Sequence, residues 1–367
     1  MLQSILKVLF SIIYFFDRNR LAHGEIKPDE LKRFLLISTT AIGDTLMSTP
    51  AIRAIRQKFP DDHIAVLADR RRIDILKGNP YIDRLITYQG KFKNVLSLIK
   101  ELRKERFDIA IILHGNDPDI VPIAYLSRAR YRLGWDGSGF SFLLTHKHKK
   151  FGESWHAIDD RLDMLKPLGI DTRDRRMDLF LSEEDRDFKR RLFSDNGILE
   201  DDLVLGLHPF GSRRSKWWGI EKSAELADRL CEKYDAKVIL ISGKENEAIS
   251  KKIASLVRHN LILICGSTIK EASAVIESCS LFITTDSGPM HIAIALGKPT
   301  ISLYGPSDII ETSACVDLER HIVVQKDLPC LRPCKLKECD NPICMDSITP
   351  DEVMEAVERY HLQPVRK

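Results

Sequence analysis

Residues 281–308 read LFITTDSGPMHIAIALGKPTISLYGPSD, and this stretch decides the fold. Leu281–Thr285 is an apolar, β-favouring run that delivers Asp286, Ser287 and Gly288 to a strand end. Pro289 stands where a helix would begin, a place at which its missing amide costs nothing. Met290, Ile292, Ala293, Ile294, Ala295 and Leu296 predict a short buried helix, capped by Gly297 in a left-handed conformation and ended by Lys298-Pro299. A second apolar strand, Thr300–Tyr304, stops at Gly305-Pro306. The result is a βαβ unit whose helix N-terminus carries Ser287, Gly288 and His291. Free amides and a partial positive charge suit such a terminus to a phosphate. Without a ligand, the same residues would be a buried and well-capped βαβ unit.

Outward from this unit the pattern repeats. RFLLIS (Arg33–Ser38), HIAVLAD (His63–Asp69), RLITY (Arg84–Tyr88) and the run around FDIAIILH read as strands, each followed by a loop and a helical pattern. Gly43 is expected to make a tight turn that presents Asp44 at the first strand end, ahead of an apolar stripe at Leu46, Ala51, Ile52 and Ile55. Strand, loop and helix in alternation imply parallel sheets with sites at the carboxyl ends of the strands. The second half opens with DLVLGLHPFGSRRSKWW, in which Gly211 and Ser212 allow close backbone approach and Lys216 is a mobile point charge suited to a pyrophosphate. KVILISGKENE brings Glu245 to the next strand end, and the strand Leu261–Cys265 ends at Gly266-Ser267-Thr268 on the same rim.

At 367 residues the chain is long enough for two α/β domains. A hydrophobic fraction of 44% supports a full core, and a net charge of +3 is too small to argue for nucleic acid. Basic residues cluster at Arg70-Arg71-Arg72 and at 100–106, 128–132 and 146–150, as solvated faces or anion sites. The charged run DTRDRRMDLFLSEEDRDFKRR reads as a linker near residues 172–179, with Ser182 placed to cap the helix after it. Eight cysteines do not make a disulfide scaffold in a chain of this length. Cys330, Cys334, Cys339 and Cys344 lie close together but lack paired CxxC spacing, which leaves zinc, a local disulfide or reduced thiols open.

Two stretches carry a resemblance. DSGPMH followed by ALGKPTISLYGPSD resembles the donor-binding signature of the lipopolysaccharide core heptosyltransferases of glycosyltransferase family 9, and STTAIGDTLMSTPAIRAIR resembles their N-terminal signature. The likeness extends from about Arg33 to the last helix. One departure is that Ser-Gly-Pro-Met-His replaces a variant with threonine and leucine seen in some members. The resemblance implies an α/β fold of the GT-B class, two Rossmann-like domains with parallel sheets facing across a cleft. It implies an inverting, metal-independent transfer of a heptose from a nucleotide-diphosphate donor such as ADP-heptose to a lipopolysaccharide core acceptor on lipid A. Asp44 would be the general base that takes the acceptor's proton; its plainer reading is a cap on the following helix. Donor contacts are expected at Thr40, Gly43, Gly211, Ser212, Lys216, Glu245, Ser267, Thr268, Asp286, Ser287, Gly288 and His291. No cofactor or metal is expected, because Lys216 and the helix at Ser287 would neutralise the leaving diphosphate.

The resulting organisation is an amphipathic segment at 1–24, an acceptor domain at 25–175, a donor domain at 176–350 and a terminal helix at 351–367 that in this architecture crosses back to the first domain. Residues 2–16 are too short to span a bilayer, and no cleavage site follows them. Gln3, Ser4, Lys7 and Ser11 form a polar stripe beside a wide apolar face, and Arg18 and Arg20 follow. That pattern suits a helix in a membrane interface, here the cytoplasmic face of the inner membrane, or one packed on the protein itself. A nicotinamide oxidoreductase would need a GxGxxG after the first strand, which TTAIGDT lacks. A non-catalytic nucleotide-sugar-binding protein is the alternative from another class.

Overall fold

The computed structural model describes residues 2–17, 24–115, 117–149, 155–334, 336 and 339–362. Arg18, Arg20 and Lys150 therefore lie outside the described residues. The chain divides into two compact units, Met1–Asp178 and Leu179–Lys367. Among the described residues, each unit contains one six-stranded parallel sheet.

In the first unit the strands are β1 (Arg33–Ser38), β2 (His63–Asp69), β3 (Arg84–Tyr88), β4 (Ile109–His114), β5 (Tyr131–Trp135) and β6 (His146–His148), in the order β3-β2-β1-β4-β5-β6. β1 is buried on both faces after Arg33, as a central parallel strand must be. Its helices are α1 (Leu2–Asp17), α2 (Ile42–Met47), α3 (Thr49–Lys58), α4 (Val95–Glu105), α5 (Ile120–Leu126) and α6 (Ala157–Asp163). One face of the sheet, with Leu35, Ile37, Leu67 and Ile112, packs against Leu98 and Leu102 of α4 and Ile120 and Ile123 of α5. The register of β4 on β1 slips after Ile37↔Ile112, so that Ser38 pairs with His114 rather than Leu113.

Two of the basic clusters turn out to be strands. Residues 128–132 lead into β5, where Arg132 is buried and donates to the carbonyls of Leu143 at 2.9 Å and Ala129 at 2.7 Å. His146–His148 is the edge strand β6. The stretch expected as a linker is tied down as far as Asp178. Buried Arg53 of α3 pairs with Asp178 and donates to the Arg176 carbonyl at 2.7 Å, and Asp178 N donates to Thr49 Oγ1 at 2.8 Å.

α1 is docked on its own unit. Phe10 is buried and meets Tyr125 and Phe140 edge-on at 6.3 and 5.9 Å, and Tyr14 meets Phe142 at 5.8 Å. The opposite side of the helix exposes Lys7, Val8, Leu9, Ser11, Ile12 and Phe15. Lys7 and Ser11 of the expected polar stripe thus share the outer side with apolar residues, while the side chains of Gln3 and Ser4 lie outside the described residues. No described helix is long and apolar enough to cross a membrane.

The second unit repeats the topology. Its strands are β7 (Val204–His208), β8 (Lys237–Ser242), β9 (Leu261–Cys265), β10 (Leu281–Thr285), β11 (Thr300–Tyr304) and β12 (His321–Gln325), ordered β12-β11-β10-β7-β8-β9. The helices are α7 (Glu183–Asp195), α8 (Ile220–Tyr234), α9 (Glu247–Leu256), α10 (Ile269–Glu277), α11 (Gly288–Ala295), α12 (Ile309–Thr312), α13 (Ile343–Asp346) and α14 (Pro350–Glu358). Ser182 caps α7 through a capping box with Asp185, and Gly297 ends α11 at φ +66°. α14, expected as a crossing element, buries Val353, Met354, Ala356 and Val357 in the second unit's own core, where it packs on α8, β11 and β12.

Candidate functional site

Each sheet has one point where successive strands leave in opposite directions, and ligands of open α/β folds bind at such points. In the first unit it lies between β1 and β4, in the second between β7 and β10. The residues that follow these four strands make up one candidate site in each unit.

After β1, Thr40 and Ala41 lead directly into α2, so Asp44 is presented from a first helical turn. This corrects the expected tight turn at Gly43, which is a buried residue inside α2. Asp44 is one-quarter exposed, and its carboxylate is held from three directions. Thr40 Oγ1 is 3.1 Å from Oδ2, Arg161 Nη2 donates to Oδ1 at 3.2 Å, and His114 Nε2 lies 3.5 Å from Oδ1. Thr40 Oγ1 also meets His114 Nδ1. A threonine hydroxyl has one proton to give, to Oδ2 or to Nδ1; the second choice leaves Nε2–H directed at Asp44. Arg161 comes from α6 and is almost wholly buried, with Nη1 donating to the Ala157 carbonyl at 2.8 Å. Asp69, at the end of β2, binds Arg71 at 2.9 Å and Arg72 at 3.3 Å, and Arg72 feels the charge of Asp44. Thr40 and Gly43, expected at the donor, are therefore neighbours of the carboxylate in the first unit. His114 and Arg161 were missed by sequence reasoning. His114 reaches this place through the register slip in β4, and Arg161 reads as one charge among many in DDRLD.

In the second unit, the chain after β7 closes a short loop upon itself. Trp218 N donates to the Pro209 carbonyl at 3.0 Å, Trp217 Nε1 to the Gly211 carbonyl at 3.1 Å, and Phe210 stacks edge-on with Trp217 at 5.2 Å. A Cβ on Gly211 would sit 2.5 Å from Cβ of Lys216, so only glycine lets the two strands of the loop approach this closely. The loop aims Lys216 at Asp286, with Nζ 2.6 Å from Oδ2. Thr285 Oγ1 donates to the Phe210 carbonyl and ties the two loops of the switch point together. Burial alone would raise the pKa of Asp286, but Lys216, the Ser307 hydroxyl and His291 together hold it below the ordinary carboxylate range. Asp286 thus anchors Lys216.

Ser287 precedes α11 without a side-chain cap, so the amides of this first turn have no side-chain acceptor from it. Buried His291 lies one turn further on. His208, at the end of β7, is buried and donates Nδ1–H to the Ile241 carbonyl at 2.8 Å. Its pKa is pushed down to about 4, chiefly by burial, which keeps it neutral near pH 7. The Glu245 carboxylate folds back over Gly243, close enough to His208 for its charge to be felt. Ser212 is exposed beside the loop. Ser267 and Thr268 follow β9, two strands from β7. The Thr268 hydroxyl is used as a helix cap, accepting from Glu271 N at 3.2 Å. The four clustered cysteines are free thiols, and among the described residues no group of His, Cys, Asp and Glu is arranged to hold a metal.

Solved structures share this fold. A glycosyl transferase family 9 protein from Veillonella parvula aligns over 92% of the chain and 98% of its own, with a TM-score of 0.77 and 24% identity. The E. coli ADP-heptose lps heptosyltransferase II aligns over 89% and 97%, with a TM-score of 0.73 and 20% identity. The chain accordingly has the paired Rossmann-type domains of the GT-B class. Lipopolysaccharide heptosyltransferase 3 of E. coli strain K12 is 31% identical over 286 residues, which is 72% of this chain and 80% of that protein. The model of glycosyltransferase family 9 (heptosyltransferase) matches residues 95–341, a span that includes His114, Arg161, Lys216 and the loop at Asp286. With a held carboxylate at one switch point and the Lys216–Asp286 pair at the other, the chain belongs to glycosyltransferase family 9, the heptosyltransferases.

Proposed function

We propose that this protein transfers a heptose from ADP-heptose to a lipopolysaccharide core acceptor with inversion at the anomeric carbon, and that Asp44 is the general base. Asp44 accepts the proton of the acceptor hydroxyl as its oxygen attacks the anomeric carbon from the side opposite the nucleotide. The bond from that carbon to the phosphate oxygen breaks, and the electron pair leaves on the diphosphate. The observation that carries the reading is the carboxylate of Asp44, held by Thr40, Arg161 and His114 at a switch point. Arg161 and Thr40 fix its direction and leave it partly exposed to a substrate.

The leaving diphosphate would meet Lys216 and the amides at the start of α11. An ammonium has three protons, so Lys216 can keep its bond to Asp286 and still donate to phosphate oxygens. The charge of the helix terminus adds to that of the lysine where negative charge develops, and this is why no metal is required. Support for donor and acceptor comes from the relatives, one named for lipopolysaccharide and another for ADP-heptose. A lipid-linked acceptor calls for an enzyme at a membrane surface, which we assign to the cytoplasmic face of the inner membrane, and the apolar outer side of α1 supports peripheral attachment.

Asp44→Asn tests the assignment. Transfer should fall by on the order of 10² or more, with ADP affinity unchanged by calorimetry. Turnover equal to the unsubstituted enzyme would refute it.

A further inference from the structure

α1, α5 and α4 cover the same face of the first sheet, and α5 links the other two. Tyr125 meets Phe10 of α1, and the carbonyl of its neighbour Leu126 accepts from Arg103 Nε of α4 at 2.8 Å. With the inner sides used this way, α1 turns Val8, Leu9, Ile12 and Phe15 outward at 49–61% exposure, and α4 turns out Leu96 at 85%. Positions 8, 12 and 15 form one helical stripe. Grouped rather than scattered, exposed apolar side chains mark an interaction surface.

The charges of α4 are sorted as well. Its acids point to the strands: Glu105 takes both Arg33 and Arg84, and Glu101 takes Arg84 at 2.7 Å. Its bases stay outside, where Lys100, Arg103 and Lys104, with Arg106, ring a groove floored by Leu96, Ile99 and Leu126. Lys100 and Lys104 are four residues apart, a like-charge spacing that costs the free helix some stability and that anions would relieve. Lys7 borders the stripe on α1.

We propose that α1 and α4 form one docking surface for an anionic lipid bilayer, the stripe of α1 entering the acyl boundary and the cations of α4 resting on headgroup phosphates. This rests on the peripheral-membrane reading above and adds an electrostatic half contributed by a different helix. Exposed apolar side chains on one helix and outward cations on another helix of the same layer match the layered chemistry of an anionic bilayer, apolar below and phosphate above.

The test is flotation of the full-length protein with vesicles of phosphatidylcholine, alone or mixed with phosphatidylglycerol, at low and high salt. The mixed vesicles should be preferred, and the preference should fade with salt. Lys100→Ala/Lys104→Ala should bind mixed vesicles roughly thirtyfold more weakly at low salt, about fivefold per cation. Its thermal midpoint and ADP affinity should be unchanged, which shows that it folds. Ile12→Ser/Phe15→Ser should lose binding to both vesicle types. If the lysine variant binds as the unsubstituted protein does while the α1 variant fails, the surface proposed here is overturned and attachment through α1 alone stands. Equal, salt-independent binding to both vesicle types overturns it too. A protein that ignores vesicles but binds an acidic protein through Lys100 and Lys104 overturns both readings.

Discussion

Replacing Lys216 by alanine should damage the second unit in two separable ways. Asp286 keeps only 9% of its side chain exposed, and Lys216 sits 2.6 Å away with 19% exposed. Removing Lys216 leaves the buried Asp286 charge with only the Ser307 hydroxyl and His291 to offset it, and breaking such a pair costs about 3–5 kcal/mol. For a unit of this size that is a drop in thermal midpoint of roughly 6–20 °C. The pH dependence should change sign. In the unsubstituted protein Asp286 titrates lower folded than unfolded, so the pair's contribution is present above the ordinary carboxylate range and is lost as pH falls through the lowered value. Without Lys216, burial dominates and raises the pKa of Asp286, so folding favours the protonated acid and stability declines as pH rises through the raised value. Adding Asp286→Asn to Lys216→Ala should restore most of the midpoint, because no charge is then buried. On the proposed role of Lys216 it should not restore ADP affinity, because the ammonium is still missing. Thermal melts between pH 4 and 8 with calorimetry on the two variants make the measurement. A Lys216→Ala protein as stable as the unsubstituted one, or a double variant no more stable than the single, would refute the reasoning.

Two further outcomes are expected. His114→Ala should lower kcat by about tenfold to a hundredfold while leaving ADP affinity intact, since it loosens the neighbourhood of Asp44 and the donor is proposed to bind through Lys216 and α11; unchanged kcat in steady-state assays would remove His114 from the site. Gly211→Ala should cost about 1–3 kcal/mol in a thermal melt and weaken ADP binding, because a Cβ 2.5 Å from that of Lys216 forces the loop open.

The sequence was most readable where local signals agree with the fold. Residues 281–304 combine a β-favouring strand that is fully buried, a proline at the helix start and a left-handed glycine at its end, and each keeps that role in the structure. β6 is only three residues, HKH, and β5 follows a run of arginines, so neither has a hydrophobic period to detect. Asp44 could be found because it sits beside a glycine at a strand end. His114 could not, because a register slip between neighbouring strands has no trace in either strand alone. Arg161 was hidden for a related reason, as helical periodicity shows that a charged residue is there but not that it is buried. The N-terminal helix was readable as amphipathic, yet which apolar side would dock on the protein depended on Tyr125, Phe140 and Phe142, more than a hundred residues away.

The way α14 closes the second unit bears on how this enzyme can be taken apart. Its four buried side chains complete that unit's core, Trp218 Nε1 donates to the Ile348 carbonyl at 3.0 Å, and the Tyr360 hydroxyl donates to the Thr300 carbonyl at 2.8 Å. A polypeptide starting at Leu179 thus carries α14 within its own core. On the proposed placing of the donor in this unit, nucleotide recognition would be a cassette, open to expression alone or to exchange between family members as a route to chimaeric enzymes with one partner's donor and another's acceptor.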